Sequence, residues 1–306
     1  MSPEISIVLC TWNRAGLLAG ALDALLDQDD PPPHEILVVN NASTDGTASV
    51  IAARAAGHPQ LRALSEPRQG LAFARNTGSA ASRAPLIAFT DDDVRVGRGW
   101  MRAMASAFDR YPDASCIGGP VLPVWPGRVP RWLTERHWAP LGAQDYGPSP
   151  LRVDTHRPIC LIGANVAFRR ETLEAIGGFD PALQRVRAGA GSTEDHDCHL
   201  RLWRSGRHGI YEPALAVNAV VEPARVRKRH HRAWHFGHGR HLARMRLPDV
   251  ESTRFGVRGV PGHLLRQAAA DARAWVVSLL HRDATAAFER EVRLWFAAGF
   301  VLERWR

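Results

Sequence analysis

The N-terminal third of the chain alternates short apolar runs with helical patterns. Ile5-Ser-Ile-Val-Leu-Cys10, Glu35-Ile-Leu-Val-Val-Asn40, Leu61–Leu64 and Pro85-Leu-Ile-Ala-Phe-Thr90 are β-rich runs of strand length. From about Ala15 to Leu26, leucines at 17, 18, 22, 25 and 26 recur with helical spacing, which predicts an amphipathic helix. Asp29, Asp30 and Pro31–Pro33 close it. The turn-rich stretch Asn41-Ala-Ser-Thr-Asp-Gly46 opens a second helix, and Gly70 leads into a third that runs to about Ala81. Strands alternating with helices at this spacing predict an α/β fold, a mostly parallel sheet with helices on both faces. Such sheets bind ligands outside the carboxyl ends of their strands. The polar clusters at 11–14, 41–46 and 91–93 fall there.

The pattern then becomes irregular. Residues 122–157 carry six prolines together with Trp125, Trp132 and Trp138, which predicts a long excursion over the sheet edge, ordered by its aromatic side chains. A short charged helix is expected from Glu194 to about Ser205, and two amphipathic helices follow Pro261, roughly over 262–281 and 283–305. The organisation this predicts is a domain over 1–224 followed by a basic, helical extension over 225–306.

Composition adds limits. With 45% apolar and 23% charged residues, the chain matches a soluble globular protein and excludes a disordered tail, a collagen-like fibre or a polytopic membrane protein. The longest apolar run near the C-terminus, Leu294–Leu302, is about half the ~20 residues of a spanning helix. Met1–Glu4 runs straight into the first strand, so no signal peptide is expected. Cys10, Cys116, Cys160 and Cys198 form no C-x-x-C pair, which argues against a disulfide framework or a structural zinc site. A cytoplasmic location follows as an expectation.

Charge changes the picture at one place. The net charge of +8 equals that of 225–246, where seven arginines and Lys228 stand without an acid, beside His230, His231, His235, His238 and His241. Such a patch suits an anionic membrane surface, a phosphate-bearing substrate or nucleic acid, or is simply a solvated helix face. No nucleic-acid-binding motif accompanies it, which argues against nucleic acid.

Three segments carry candidate chemistry. Asp91-Asp92-Asp93 ends an apolar strand. Adjacent carboxylates repel and raise one another's pKa, a cost that a divalent cation relieves, and hard oxygen donors suit Mg²⁺ or Mn²⁺. The alternative is an acidic turn capping the next helix. Thr193-Glu194-Asp195-His196-Asp197 opens a later helix. Asp195 can act as a general base or as an N-terminal cap. Gln69-Gly-Leu-Ala-Phe-Ala-Arg-Asn-Thr-Gly78 places Arg75 and Asn76 on a helix behind a glycine turn, where an arginine pairs with a phosphate or carboxylate, or with a surface acid.

Taken in order, these segments resemble the family 2 glycosyltransferases of the GT-A fold, over roughly Ile5–Arg246. The matching pieces are Ser6–Arg14, Ile36–Thr47, Gly70–Gly78, Phe89–Val94, Gly163–Arg170, Gly177–Asp180 and Glu194–Asp197 with Arg201. The resemblance implies a Rossmann-like mixed sheet, a nucleotide-sugar half over about 1–120 and an acceptor half over 121–224. It implies an inverting enzyme that moves a sugar from a nucleotide-diphosphate sugar, UDP foremost, to a hydroxyl of a saccharide, lipid-linked or small-molecule acceptor. A divalent metal, Mg²⁺ or Mn²⁺, accompanies the diphosphate.

Residue by residue, Thr11, Trp12 and Asn13 match the first nucleotide loop, with Trp12 against the base. Asn41 stands where the family often has a base-binding Asp, which leaves the base open. Arg75 matches the arginine near the nucleotide. Asp91 would face the ribose or metal, Asp93 the metal, and Asp92 shares in one or the other. Asp195 matches the base of the family's Glu-Asp motif. Gly163, Asn165, Gly178, Phe179, Asp180 and Glu194 would line the sugar and acceptor side. By ungapped count, Ala219 stands where many relatives carry a metal-binding histidine, so water or a histidine from 230–241 would complete the shell. The basic segment 225–246 and the C-terminal helices suggest peripheral docking on the inner face of a membrane. Two other classes compete. A sugar nucleotidyltransferase would carry a glycine-rich basic loop after strand one, which Thr11–Gly16 lacks. A non-catalytic sugar-, nucleotide- or nucleic-acid-binding protein would not need Asp91, Asp93 and Asp195 together.

Overall fold

In the computed structural model, residues 2–184, 193–251 and 255–306 are described. The chain forms two compact units. The first holds Met1–Val124, Gly142–Arg187 and Glu194–Val220; the second consists chiefly of Trp125–Leu141 and Val221–Arg306.

The first unit opens as the apolar periodicity predicts: β1 (Ile5–Thr11), α1 (Ala15–Leu26), β2 (His34–Asn40), α2 (Thr47–Ala55), β3 (Leu61–Ser65), α3 (Leu71–Ala81) and β4 (Leu86–Asp91). There follow β5 (Val94–Arg95), α4 (Trp100–Arg110), β6 (Cys116–Gly118), β7 (Val121–Val124), β8 (Leu151–Val153), β9 (Asn165–Arg169) and α5 (Arg170–Ala175). The unit closes with α6 (Glu194–Arg204), β10 (Gly209–Tyr211) and β11 (Val217–Val220). The main sheet has the order β3-β2-β1-β4-β9-β6-β10-β8. β1 through β4 are mutually parallel, and β9 runs antiparallel to both β4 and β6. The sheet is therefore mixed: β3, β2, β1 and β4 form one parallel block, and β6 and β10 pair in parallel beyond β9.

These strands read as unbroken apolar runs because both faces are covered. Ile7, Leu9, Ile36 and Ala88 pack with Leu18, Leu22 and Leu25 of α1 and with Met101, Met104 and Phe108 of α4. Val8, Leu37, Val39, Ile87 and Phe89 pack with Ala72 and Ala74 of α3 and with Cys198, Leu202 and Trp203 of α6. The chain leaves β1 toward β2 and β3, then returns to β1's other side as β4. The topological switch point thus lies between β1 and β4, with Cys10 in register with Asp91. A small sheet, β5-β11-β7, continues from the acidic turn. There the Val220 N–H donates to the Asp93 carbonyl at 2.8 Å.

The excursion expected over 122–157 divides. Residues 151–153 add the last strand of the main sheet, whereas Trp125–Leu141 groups with the C-terminal helices. The reason is aromatic. Trp132 lies 4.5 Å from Phe288 and 5.0 Å from His231, and His137 stacks on Phe288 at 5.5 Å. Lys228 Nζ stands 4.7 Å over the Phe288 ring.

The second unit is built on α7 (Lys228–Met245), α8 (Pro248–Glu251), α9 (Gly262–Leu280) and α10 (Ala284–Arg304). Asp283 caps α10, accepting from the Thr285 and Ala286 N–H groups. α7 and α10 approach until backbone meets backbone: a Cβ on Gly239 would overlap the Phe296 carbonyl, and one on Gly299 the Phe236 carbonyl. The basic segment is less bare than its sequence suggests. Arg232 pairs with Glu291 at 2.5 Å, and Arg240 and Arg244 clasp Glu303 at 2.8 and 2.7 Å. The acids absent from 225–246 come from α10.

Buried histidines make this unit sensitive to acid. Burial pushes His231 down to about 3, with His230 beside it adding to the shift, and burial likewise lowers His235 to about 4. Both are held neutral in the fold while the unfolded chain titrates near 6.5. The stability they contribute is therefore present above pH 6.5 and is lost as pH falls toward 4. Thermal melts between pH 7 and 5 should show a falling midpoint, with a shallower slope in His231→Phe. A pH-independent midpoint would refute this reading.

Candidate active site

Parallel strands deliver their carboxyl ends to one edge, so Thr11, Asn41 and the turn after Asp91 share it. A cavity of about 300 Å³ lined by Pro3, Pro33, His34 and Arg83 lies at the opposite, amino ends of β1 and β2. It has none of these residues.

The three acids are not equivalent. The Asp92 and Asp93 side chains are 8% and 11% exposed, while the Asp91 side chain keeps 35% of its surface. Thr11 Oγ1 donates to Asp92 Oδ2 at 2.8 Å, and Arg14 Nη1 donates to Asp92 Oδ1 at 3.2 Å and to Asp93 Oδ2 at 2.9 Å. Burial pushes the Asp92 carboxyl up to about 7, against the pull of Arg14.

Arg75, on α3, is the second centre. It is buried, its Nη1 donates to Asp195 Oδ1 at 2.5 Å and to Glu194 Oε1 at 3.4 Å, and its Nη2 lies 3.9 Å from Asp91 Oδ1. Burial opposes the guanidinium charge, but Asp195, Asp91 and Glu194 overcome it and hold its pKa above the ordinary value. Its Cζ also sits 5.2 Å over the Phe179 ring. The other Asp195 oxygen accepts from the Gly163 N–H at 3.2 Å. Gly163 has to be glycine, because a Cβ would overlap the Arg75 guanidinium and crowd Asp195 Oδ1. Asp195 thus has both oxygens oriented while its side chain remains 23% exposed.

Several expected site residues are engaged elsewhere. Asn41 Nδ2 donates to the carbonyls of Glu66 and Arg68, and its Oδ1 accepts from Gly70 N–H. One lone pair is what remains for a ligand. Asn13, at φ 51°, latches its loop to the next: Oδ1 accepts from Thr44 N–H at 2.7 Å, and its own N–H donates to Ser43 Oγ at 3.0 Å. Trp12, beside it, is half-buried. Asn165 is fully buried, accepting from Trp100 Nε1 and donating to the carbonyls of Pro120 and Leu215. It ties β9 to α4 and to the turns at Pro120 and Leu215. Asp180 caps a short 3₁₀ turn through the Ala182 N–H.

Gly178 and Phe179 are held near the site by residues the motif reading left without a role. Asn76 bonds both the N–H and the carbonyl of Phe179. Arg201 donates to the carbonyls of Ile176 and Gly178. Arg14 is the other residue that reading passed over, although three adjacent acids require a counter-charge and an arginine closes the neighbouring loop. Ala219 packs in the core with Val94 and Val96, in register with Val94.

Asp91 and Asp93 are oxygen donors of the class that suits Mg²⁺ or Mn²⁺. Among the described residues, no three His, Cys, Asp or Glu side chains are grouped to hold a metal by themselves. Carboxylates of this kind fit an ion whose shell is completed by substrate phosphates and water.

Replacing Arg75 with Met should leave Glu194 and Asp195 without their shared cation and cost about 3–5 kcal/mol in urea unfolding. An unchanged midpoint would show that this ion-pair cluster does not organise the site.

Comparison with known proteins bears on the family and the fold. The family model for glycosyl transferase family 2 matches residues 6–177. A glucosyl-dolichyl phosphate glucuronosyltransferase of Haloferax volcanii is 23% identical over 220 residues, 70% of this chain and 68% of that protein. A pre-mycofactocin glycosyltransferase of Mycobacterium tuberculosis is 29% identical over 162 residues, 52% of this chain but 32% of that protein. Among solved structures, the mannosyltransferase PcManGT of Pyrobaculum calidifontis, in complex with GDP-Man and Mn²⁺, superposes with a TM-score of 0.65 at 23% identity, covering 100% of this chain and 88% of its own. S. aureus TarS residues 1–349, in complex with UDP, gives 0.57 at 16% identity, covering 94% and 89%.

Proposed function

The chain belongs to glycosyl transferase family 2, and on that premise we propose that it transfers a sugar from a nucleotide-diphosphate sugar to an acceptor hydroxyl with inversion at the anomeric carbon. The observation that carries this reading is the Asp195 carboxylate. It is oriented by Arg75 and the Gly163 N–H, and the same guanidinium reaches toward Asp91 on the nucleotide edge. One arginine therefore links the base to the donor side.

In this mechanism Asp195 takes the proton of the acceptor hydroxyl. The freed oxygen attacks the anomeric carbon from the face opposite the diphosphate, the glycosidic C–O bond breaks, and its electron pair leaves on the nucleoside diphosphate. Asp91 and Asp93 would hold a divalent cation, which when bound would supply positive charge to that leaving group. Trp12 lies against the base, on a loop whose shape the Asn13 latch sets. Asp91 and Asp92 face the ribose and diphosphate side. Gly163 and Gly178 face the sugar and acceptor; Phe179 and Glu194, both buried, support that side from behind through Arg75, and Asn165 and Asp180 act through the backbone they hold. With the Asn41 amide engaged in three hydrogen bonds, base choice rests on the loop around it; UDP is the nucleotide we place first.

Asp195→Asn should abolish transfer, read as nucleotide release from donor in the presence of acceptor, while nucleoside diphosphate still raises the melting temperature as it does for the unchanged chain. Full turnover in that variant would overturn the base assignment.

For the acceptor we place a lipid-linked saccharide first. The Haloferax relative's name specifies glucosyl-dolichyl phosphate, and α9 ends with Val276, Val277, Leu279 and Leu280 exposed, beside Arg273 and Arg282. No helix among the described residues is long and apolar enough to cross a membrane, so this contact would be peripheral. Anionic liposomes should float the protein at low salt, and Leu280→Asp should weaken flotation. Failure of the unchanged chain to float would remove membrane docking.

A further inference from the structure

Asp92 and Asp93 lie side by side and buried at the carboxyl edge. Arg14 Nη1 bridges them, at 3.2 Å from Asp92 Oδ1 and 2.9 Å from Asp93 Oδ2. The bridge comes from outside the acidic turn: Arg14 closes the loop that carries Trp12 and stands at the start of α1. The remaining Asp92 oxygen accepts from Thr11 on the same loop. The carboxylate expected to hold a divalent cation therefore has a guanidinium on its oxygen, tethered to the nucleotide loop. Arg14 itself keeps 27% of its side-chain surface, so it is not sealed in with the acids.

We propose that Arg14 is a tethered counter-ion that competes with the divalent cation for Asp93 and releases it when a diphosphate offers the guanidinium another partner. The inference rests on the donor-site reading above and concerns its regulation. A cation arriving alone has to displace a guanidinium that loses its carboxylates in a half-buried position. When a diphosphate is present, the displaced guanidinium gains charge-assisted, bidentate hydrogen bonds to phosphate oxygens. Ion and nucleotide then bind cooperatively, and the coupling passes through one side chain. By linkage, each strengthens the other by the same factor. The arrangement disfavours an ion without its nucleotide and neutralises the acids while no donor is bound.

The test reads binding, not turnover. The 306-residue chain is stripped with EDTA and dialysed, and Mn²⁺ alone is titrated with the free-ion EPR signal as readout. The unchanged chain should bind Mn²⁺ weakly, and Arg14→Gln should bind it about tenfold more tightly, within the usual 5–150-fold range of such couplings. Adding Asp93→Asn to that variant should remove the gain. In EDTA, Arg14→Gln should melt below the unchanged chain and regain the difference when Mn²⁺ is added, whereas the unchanged chain barely responds to Mn²⁺ alone. Arg14→Lys retains charge without the planar fork and should fall between the two, which covers the case in which the glutamine variant does not fold. Equal Mn²⁺ affinity in the unchanged chain and the folded variants, or a gain that survives Asp93→Asn, would overturn the proposal. The two readings fail separately. If neither UDP nor GDP binds with Mn²⁺ but the Arg14 effect stands, the donor reading is wrong. If the nucleotides bind and Mn²⁺ affinity ignores Arg14, the counter-ion proposal is wrong.

Discussion

Burying carboxylates at the end of a parallel sheet forces a counter-charge to be built beside them, and the first unit is organised around that requirement. Asp92, Asp93 and Glu194 are all buried, and an isolated buried carboxylate is too costly to persist in its charged form. Two guanidiniums meet the need. Arg14 serves Asp92 and Asp93; Arg75 serves Glu194, Asp195 and the flank of Asp91. Glycine at 163, the Asn76 grip on Phe179 and the Asn13 latch all hold the backbone where those guanidiniums can reach.

The same constraint connects structure to chemistry. A carboxylate with both oxygens oriented can accept a proton in one direction, which a general base requires. Acids neutralised by a movable arginine can exchange that partner for an ion and a diphosphate. Charge balance is thus both what stabilises this edge of the sheet and what a nucleotide-sugar donor would perturb on binding.

The second unit shows the same physics between its helices. Its basic segment is neutralised in part by Glu291 and Glu303, its aromatic box holds Lys228 over Phe288, and burial holds His231 and His235 neutral. The charge run that suggested an anion-binding surface is partly an internal helix interface. The unit's exposed large apolar residues lie at Phe255 and Val257, at the end of α9, and along and just after α10.

Much of the fold was legible along the chain. The apolar runs and leucine spacing placed β1 to β4 and α1 to α3 within a residue or two, and the last two helices as closely, because strand and helix periodicity are local properties. The acids at 91–93 and 194–195 were legible for the same reason, as side chains at fixed distances from strand and helix ends. Pairing was not. Arg14 meets Asp92 and Asp93 from 78 and 79 positions away, Arg75 meets Asp195 from 120, and Arg240 meets Glu303 from 63. Likewise, nothing adjacent to Asn41 or Asn165 in the chain told that their amides would be taken up by backbone. The sequence by itself determined which charges and amides this protein has and on which elements they ride; the tertiary structure alone decided which of them face one another, because an ion pair or hydrogen bond depends on distance in space, and the chain's order does not encode that distance locally.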